Sequence, residues 1–352
     1  MTLPTRESRM TSKLAADPRI DPRIKAVFGD MPPLGGADVP DRETLLGREN
    51  SEEAKAMRAA MNVLLDSVDN EVVAPSKGLT SHWESLVSAP DGNTIRIHLI
   101  RPDDGAVVPC VYYIHGGGMA SLSAERGMFK AWGRIIAANG VAVAMVEFRN
   151  CVIPSSVPEV AAYPAGLNDC VSGLKWVRAN AARLGIDPAR IVIAGESGGG
   201  NLTLATGMKL KRDGDIGLVQ GLYAICPYIA GQWPAPDCPS SIENNGLLLD
   251  LHNNNGAIGY GIEAFNAHDP LAWPGFADES DVRGLPSVVI SVNECDPLRD
   301  EGVNFYRLLL RAGVPARGRQ VMGAIHATEI IRMCCPDITR DTARDIAAFC
   351  KG

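Results

Sequence analysis

The chain is poor in aromatic residues, 5% of 352, which argues against the stacking platforms that hold single-stranded nucleic acid. It has no surplus of basic charge either. Lys and Arg number 34 against 41 Asp and Glu, giving a net charge of -7 and a pI near 5.5. Neither nucleic acid nor an anionic membrane surface is therefore an expected partner. No apolar run approaches the length of a membrane-crossing helix, so no membrane span is expected. The start, "MTLPTRESRMTSKLAADPRI", lacks the apolar centre of a secretory signal. A cytoplasmic location is expected from these absences. Nine cysteines are scattered, only Cys334 and Cys335 are adjacent, and no CxxC or Cys/His cluster has zinc spacing. Reduced thiols and no metal site are the expectation. There are no internal repeats and no P-loop pattern GxxxxGK(S/T).

What is present is a globular composition, 46% hydrophobic and 21% charged, with 36 glycines and 24 prolines to make turns. Residues 1–78 are polar, Pro-rich and helix-prone in patches. In "SEEAKAMRAAMNVLLDSV", Ala54, Met57, Met61, Leu64 and Leu65 have near-helical spacing, and Ser51 with Glu52 and Glu53 makes a helix start. From about residue 80 the pattern changes. "SHWESLVSAPDGNTIRIHLIRP" reads as a hairpin turning at Asp91-Gly92. "VPCVYYI", "VAVAMVEF", "ARIVIAG", "LVQGLYAICP", "PSVVISVN" and "ARGRQVMGAI" read as strands, with helical segments between them. One such segment, "DCVSGLKWVRANAARLG", places Val171, Leu174, Val177, Ala181 and Leu184 on one face. Strands alternating with helices predict an α/β fold with a mostly parallel sheet covered on both faces. The rhythm breaks over 228–284, which is rich in Pro, Asn and Gly. A structureless loop of that length is improbable in a compact domain, so it reads as an inserted lid or cap with short helices. The expected organisation is an N-terminal cap segment (1–78), a core (79–227), a cap insertion (228–284) and the rest of the core (285–352).

"IAGESGGGN" contains G-x-S-x-G, with Ser197 between Gly195 and Gly199. The pattern makes a tight strand-to-helix turn that holds a serine at the sheet's C-terminal edge. A strand precedes it and an amphipathic stretch follows, as that turn requires. In a glycine-rich chain the motif alone is weak, but "YYIHGGGMAS" supplies a second one. Acyl transfer builds negative charge on a carbonyl oxygen, which backbone N–H groups can stabilise. Gly198, after the serine, offers one donor, and the His115-Gly116-Gly117-Gly118 loop after an earlier strand offers others. A dinucleotide loop fails there, because GxGxxG is absent. His115 itself reads as a structural brace.

A serine hydroxyl needs a base, and the base needs an orienting carboxylate. In this arrangement the chain order is Ser, acid, His. Of six histidines, His252 and His268 fall in the suspected lid. His326 follows the last strand and precedes the last helix, where the base belongs. For the acid, "NECDPLRDEG" offers Glu294, Asp296 and Asp300. Asp296 lies just past the strand, whereas Glu294 still belongs near it and Asp300 begins a helix, where a carboxylate complements the dipole. Asp169 precedes Ser197 and breaks the order, so a helix-start or internal polar role is expected. Glu196 is expected to brace the turn.

"HGGGM", "YPAGLNDC", "GESGGGN", "NECDPLRDEG" and the Ile325-His326 context occur in that order from about 80 to 350. Together they resemble the bacterial hormone-sensitive-lipase-like esterases of the α/β-hydrolase superfamily. "GESGGGNLTLA", "IENNG" and "DPLAWP" look most like the brefeldin A esterase branch. The resemblance implies a cap built from N-terminal helices plus an insertion, oxyanion donors at Gly117, Gly118 and Gly198, and Gly116 shaping the turn. It departs at Gly198, where many members carry alanine. The implied activity is hydrolysis of small-molecule carboxylic esters by Ser197, His326 and Asp296, with no cofactor and no metal. A covered site favours short acyl chains over an oil interface, and Met119 is expected to narrow the pocket. An acyltransferase or amidase with the same triad, and a non-catalytic ligand receptor on the same fold, remain the rival readings. A second copy of the chain, as a homodimer, is a candidate partner.

Overall fold

The computed structural model describes residues 12–352. The first eleven residues of the expected N-terminal segment lie outside the described residues. Four helices come first: α1 (Lys13–Ala16), α2 (Pro22–Phe28), α3 (Arg42–Glu49) and α4 (Glu52–Ser67). Ser51 caps α4 by accepting from the Ala54 N–H, as its sequence predicts. The hairpin follows as β1 (Leu79–Val87) and β2 (Thr94–Pro102), paired antiparallel. Then strands and helices alternate: β3 (Val108–Ile114), α5 (Gly127–Ala137), β4 (Ala142–Glu147), α6 (Ala165–Ala179), α7 (Ala181–Leu184), β5 (Ile186–Glu196), α8 (Gly198–Arg212) and β6 (Gly221–Ile225).

The 228–284 stretch contains only short helices: α9 (Ser240–Glu243), α10 (Asn255–Tyr260), α11 (Ile262–Asn266) and α12 (Glu279–Val282). The chain closes with β7 (Ser287–Asn293), α13 (Arg299–Arg311), β8 (Ala316–Val321) and α14 (Pro336–Lys351).

The eight strands form one sheet in the order β1-β2-β4-β3-β5-β6-β7-β8. β2 pairs antiparallel with β1 and β4, and every other pairing is parallel. β3, β4 and β6 are buried along their whole length, which explains why they read as unbroken apolar runs. One apolar layer lies under α6, α8 and α13, and the other under α5 and α14. Among the described residues no helix is long and apolar enough to cross a membrane.

Two expectations need correction. The helix read through residues 169–185 is two helices, α6 and α7, although all five residues assigned to its inner face are buried. The 228–284 stretch is more than a lid. Ile229, Trp233, Ala272 and Trp273 are buried in the main core, and Asn201 of α8 donates to the carbonyls of Tyr228 and Ala272. The helix expected from the spacing of Ala54, Met57, Met61, Leu64 and Leu65 forms as α4; none of its residues is fully buried, and Leu65 packs against the core from its edge.

Asp169 has the internal polar role. It sits in the second turn of α6, fully buried, and its Oδ2 accepts from the Arg149 backbone N–H at 3.0 Å and Nε at 2.8 Å. Ser88 and Asn93, from the β1–β2 hairpin, donate to its Oδ1 at 2.6 and 3.1 Å. The carboxylate therefore joins hairpin, β4 exit and α6. Asp169→Ala leaves Arg149, Ser88 and Asn93 without their shared buried acceptor. A loss of about 3–5 kcal/mol in urea unfolding is expected; a loss below about 1 kcal/mol would mean the cluster does not hold these elements together.

Candidate active site

Every residue singled out for chemistry sits just past the C-terminal end of a strand. His115–Gly118 follow β3, Ser197 follows β5, Asp296 follows β7 and His326 follows β8. Parallel strands point these ends the same way, so residues far apart in sequence meet at one sheet edge.

Ser197 has φ +58° and ψ -121°, a backbone conformation that non-glycine residues seldom adopt. The strain is held from several sides. Its N–H donates to the Ile225 carbonyl at 2.9 Å, and its carbonyl accepts from Tyr228 at 3.1 Å and Asn201 at 3.0 Å. The flanking glycines have a steric cause. A Cβ on Gly195 would lie 2.4 Å from the Gly199 carbonyl oxygen, and one on Gly199 would lie 2.0 Å from the Ile114 oxygen. Within Ile191–Gly200 only Ser197 escapes full burial.

His326 Nε2 lies 2.9 Å from Ser197 Oγ, and Nδ1 lies 2.8 Å from Asp296 Oδ2. Asp296 is fully buried, and its Oδ1 accepts from the Leu298 N–H at 2.9 Å. Burial disfavours the imidazolium, but the Asp296 carboxylate outweighs it, so the His326 pKa is raised. The two rival acids are engaged elsewhere. Glu294 accepts from the Gly323 N–H at 2.8 Å. Asp300 pairs with Arg299 at 2.8 Å and accepts from the Ser240 N–H at 2.7 Å.

Gly117 and Gly118 have φ of +102° and +64°, so the loop after β3 is built on left-handed backbone. The N–H groups of Gly117, Gly118 and Gly198 have no hydrogen-bond acceptor among the described residues. Gly198 also opens α8, whose N-terminal dipole favours negative charge. Glu196 fastens the loop to the turn. Its Oε1 accepts from the Gly116 N–H at 2.6 Å and its Oε2 from the Tyr113 hydroxyl. Burial pushes its carboxyl up to about 7. His115 stacks on Phe148 with centroids 4.4 Å apart, and its Nδ1 bonds the Gly116 carbonyl at 2.8 Å. Burial drives its pKa down to about 4, so it braces the loop as a neutral ring.

A cavity of about 460 Å³ opens over Ser197 and His326. Its walls are apolar and come from α4 (Met61, Leu64, Leu65), α5 (Met128, Trp132, Ile135), α2 (Phe28) and the 228–284 stretch (Leu248, Leu251). The C-terminal part of the α4 stripe thus faces the cavity, while Met57 near its start is exposed. Met119 does not narrow this space. The positive φ values of Gly117, Gly118 and Met119 itself turn its side chain into the main core, and Ser121 and Leu122 line the cavity in its place. The α5 wall was not marked as functional in the sequence, because an apolar helix face facing a cavity looks the same as one facing a core.

The described residues contain one cluster with metal-ligand spacing, Cys226, Asp296 and His326, whose ligand atoms lie within 4.8 Å of one another. It does not fit a resident metal. Both His326 nitrogens already face Ser197 and Asp296, and burial holds the Cys226 thiol well above its usual pKa.

A serine on a strained strand-to-helix turn, bonded to a histidine and through it to an aspartate beneath an apolar cavity, defines a hydrolase-type site on this sheet. Residues 111–330 match the family described as the alpha/beta hydrolase fold, and the chain belongs to that family. It is 30% identical over 245 residues to carboxylesterase NlhH of Mycobacterium tuberculosis, covering 69% of this chain and 73% of that one. The solved structure of esterase Est22 is 66% identical, with a TM-score of 0.96 over 97% of this chain and 100% of that one. Brefeldin A esterase, described as a bacterial homologue of human hormone-sensitive lipase, is 34% identical, with a TM-score of 0.86 over 96% of this chain and 95% of that one. The resemblance drawn from the motifs is borne out.

Gly198 carries a consequence of its own. A Cβ there would lie 2.5 Å from the Met119 nitrogen and 2.7 Å from the Gly118 nitrogen. Both are backbone atoms and cannot rotate away, so Gly198→Ala must move the loop that offers the Gly117 and Gly118 donors. Esterase kcat is expected to fall about 10–100-fold in a folded protein, less than the roughly 10²–10³ for outright loss of an oxyanion donor. Wild-type kcat would show that the loop has slack at this point.

Proposed function

We propose that this carboxylic ester hydrolase works by a serine mechanism in which Ser197 attacks the ester carbonyl. His326 takes the hydroxyl proton at Nε2, and Asp296 holds the Nδ1–H tautomer and stabilises the imidazolium. The tetrahedral oxyanion accepts hydrogen bonds from the Gly117, Gly118 and Gly198 N–H groups. Collapse of the intermediate expels the alcohol, which takes the proton from His326, and leaves an acyl group on Ser197 Oγ. Water, deprotonated by the same imidazole, then releases the acid and restores the serine. No cofactor enters the cycle. The observation that carries this reading is the continuous chain Ser197 Oγ–His326–Asp296, at 2.9 and 2.8 Å, while the rival acids Glu294 and Asp300 are bonded elsewhere.

Asp296→Asn is expected to lower kcat by on the order of 10⁴, because an asparagine permits the wrong tautomer. Glu294→Gln and Asp300→Asn should each cost less than about tenfold. A crippling loss in Asp300→Asn with a mild one in Asp296→Asn would reassign the acid.

Residues 12–78 and 228–284 act as a cap in this reading, supplying apolar walls to the cavity over the serine. The substrates are accordingly esters of short acids. The carboxylesterase and esterase relatives support the activity, and the limited volume of the cavity, about 460 Å³, supports the size limit. With p-nitrophenyl esters, kcat/KM should peak at roughly C2 to C6 and decline with longer chains. A steady climb to long chains with a jump at emulsion formation would contradict a size-limited pocket.

A further inference from the structure

Behind the Ser197–His326–Asp296 chain lies a carboxyl that ester hydrolysis does not itself require. Glu329 is fully buried in the 3-10 turn Thr328–Ile330, three residues after His326. Its Oε2 accepts from Asn293 Nδ2 at 2.9 Å, and the same Nδ2 donates to the Ile325 carbonyl at 2.8 Å. Its Oε1 has no partner among the described residues. A buried carboxyl with an unpaired oxygen is costly, and a neutral or apolar group could close this turn more cheaply. Asn293 ends β7, three residues before Asp296. The Asn293–Glu329 contact therefore ties the turn that carries the base to the strand that carries the acid.

We propose that Glu329 is a positioning residue for His326. Through Asn293 it fixes the base's turn against β7, and its carboxylate adds a second negative charge, after that of Asp296, favouring the imidazolium formed when Ser197 gives up its proton. The inference rests on the serine mechanism above.

The titratable groups around this pair are few. Asp296 lies on the β7 loop, Glu196 on the strand-to-helix turn, Cys226 just past β6 and Arg319 on β8. α14 presents buried Thr339 and Thr342, and its Asp345 is paired with Arg317 and Arg319. α5 directs Lys130 and Arg134 to Asp69. Burial acts against the charged form of both His326 and Glu329, while Asp296 first and Glu329 next draw His326 upward. Neutralising Glu329 therefore lowers the imidazole pKa. The base works only when neutral, so the acid limb of kcat/KM must move to lower pH.

The test compares wild type and Glu329→Gln on one uncharged ester across pH, with thermal unfolding measured alongside. Gln keeps an oxygen for the Asn293 donor. The acid limb is expected about half a pH unit or more lower, with kcat reduced about 3–30-fold and KM little changed. Glu329→Asp, which keeps the charge, should keep the wild-type limb even if kcat falls. Where Gln does not fold, Glu329→Met removes the charge at similar volume and must show the same downward shift. A wild-type limb in the neutral variant, whatever its Tm, makes Glu329 a purely structural residue and overturns the proposal. A wild type that hydrolyses no ester would overturn the serine mechanism, and this inference with it.

Discussion

Two backbones approach so closely behind Ser197 that side chains are forbidden, and the rest of the site depends on that approach. Gly195 and Gly199 let the turn between β5 and α8 press against the end of β3, where a Cβ would sit 2.0–2.5 Å from carbonyl oxygens. The contact forces Ser197 to positive φ and lifts its hydroxyl clear of an otherwise buried strand. It also brings the loop after β3 beside the start of α8, where the N–H groups of Gly117, Gly118 and Gly198 have no acceptor among the described residues. Glu196 locks the arrangement from beneath through Gly116 and Tyr113. Catalytic strain of this kind persists only where neighbours over-determine it.

Parallel strands do the remaining assembly. The acid follows β7 and the base follows β8, two adjacent strands in register from Val288–Ala316 to Asn293–Val321. Their ends lie side by side, and Asn293 links them again through Ile325 and Glu329. His326 is thus held by its own strand, by Asp296 and by Asn293, three residues before Asp296. Over this edge the N-terminal helices and the 228–284 stretch supply apolar walls and almost no polar groups. Such apolar walls lower the local dielectric, which strengthens a hydrogen bond offered to a developing charge.

Much of this was legible in the sequence because each legible feature has a local cause. Buried parallel strands must be continuous apolar runs. A close backbone approach must be glycine, and a base at a strand end must fall between the last strand and the last helix. What stayed hidden depends on where a face points. The stripe of α4 has helical period whether it meets core or cavity, and the apolar face of α5 gives no sign that Trp132 and Ile135 line a pocket. Met119 adjoins the oxyanion glycines in sequence, yet the left-handed turn sends it into the core. Glu329 belongs to no motif, and the partner that marks it, Asn293 of β7, lies far earlier in the chain.

The account stands or falls on Ser197 as the nucleophile. The most direct measurement is intact-mass analysis, followed by peptide mapping, after reaction with a serine-directed organophosphonate. One adduct per chain, located on Ser197, with complete loss of esterase activity, and no adduct on a folded Ser197→Ala variant, is the predicted result. Loss of activity with the adduct on a different serine, or full activity with Ser197 modified, would contradict it.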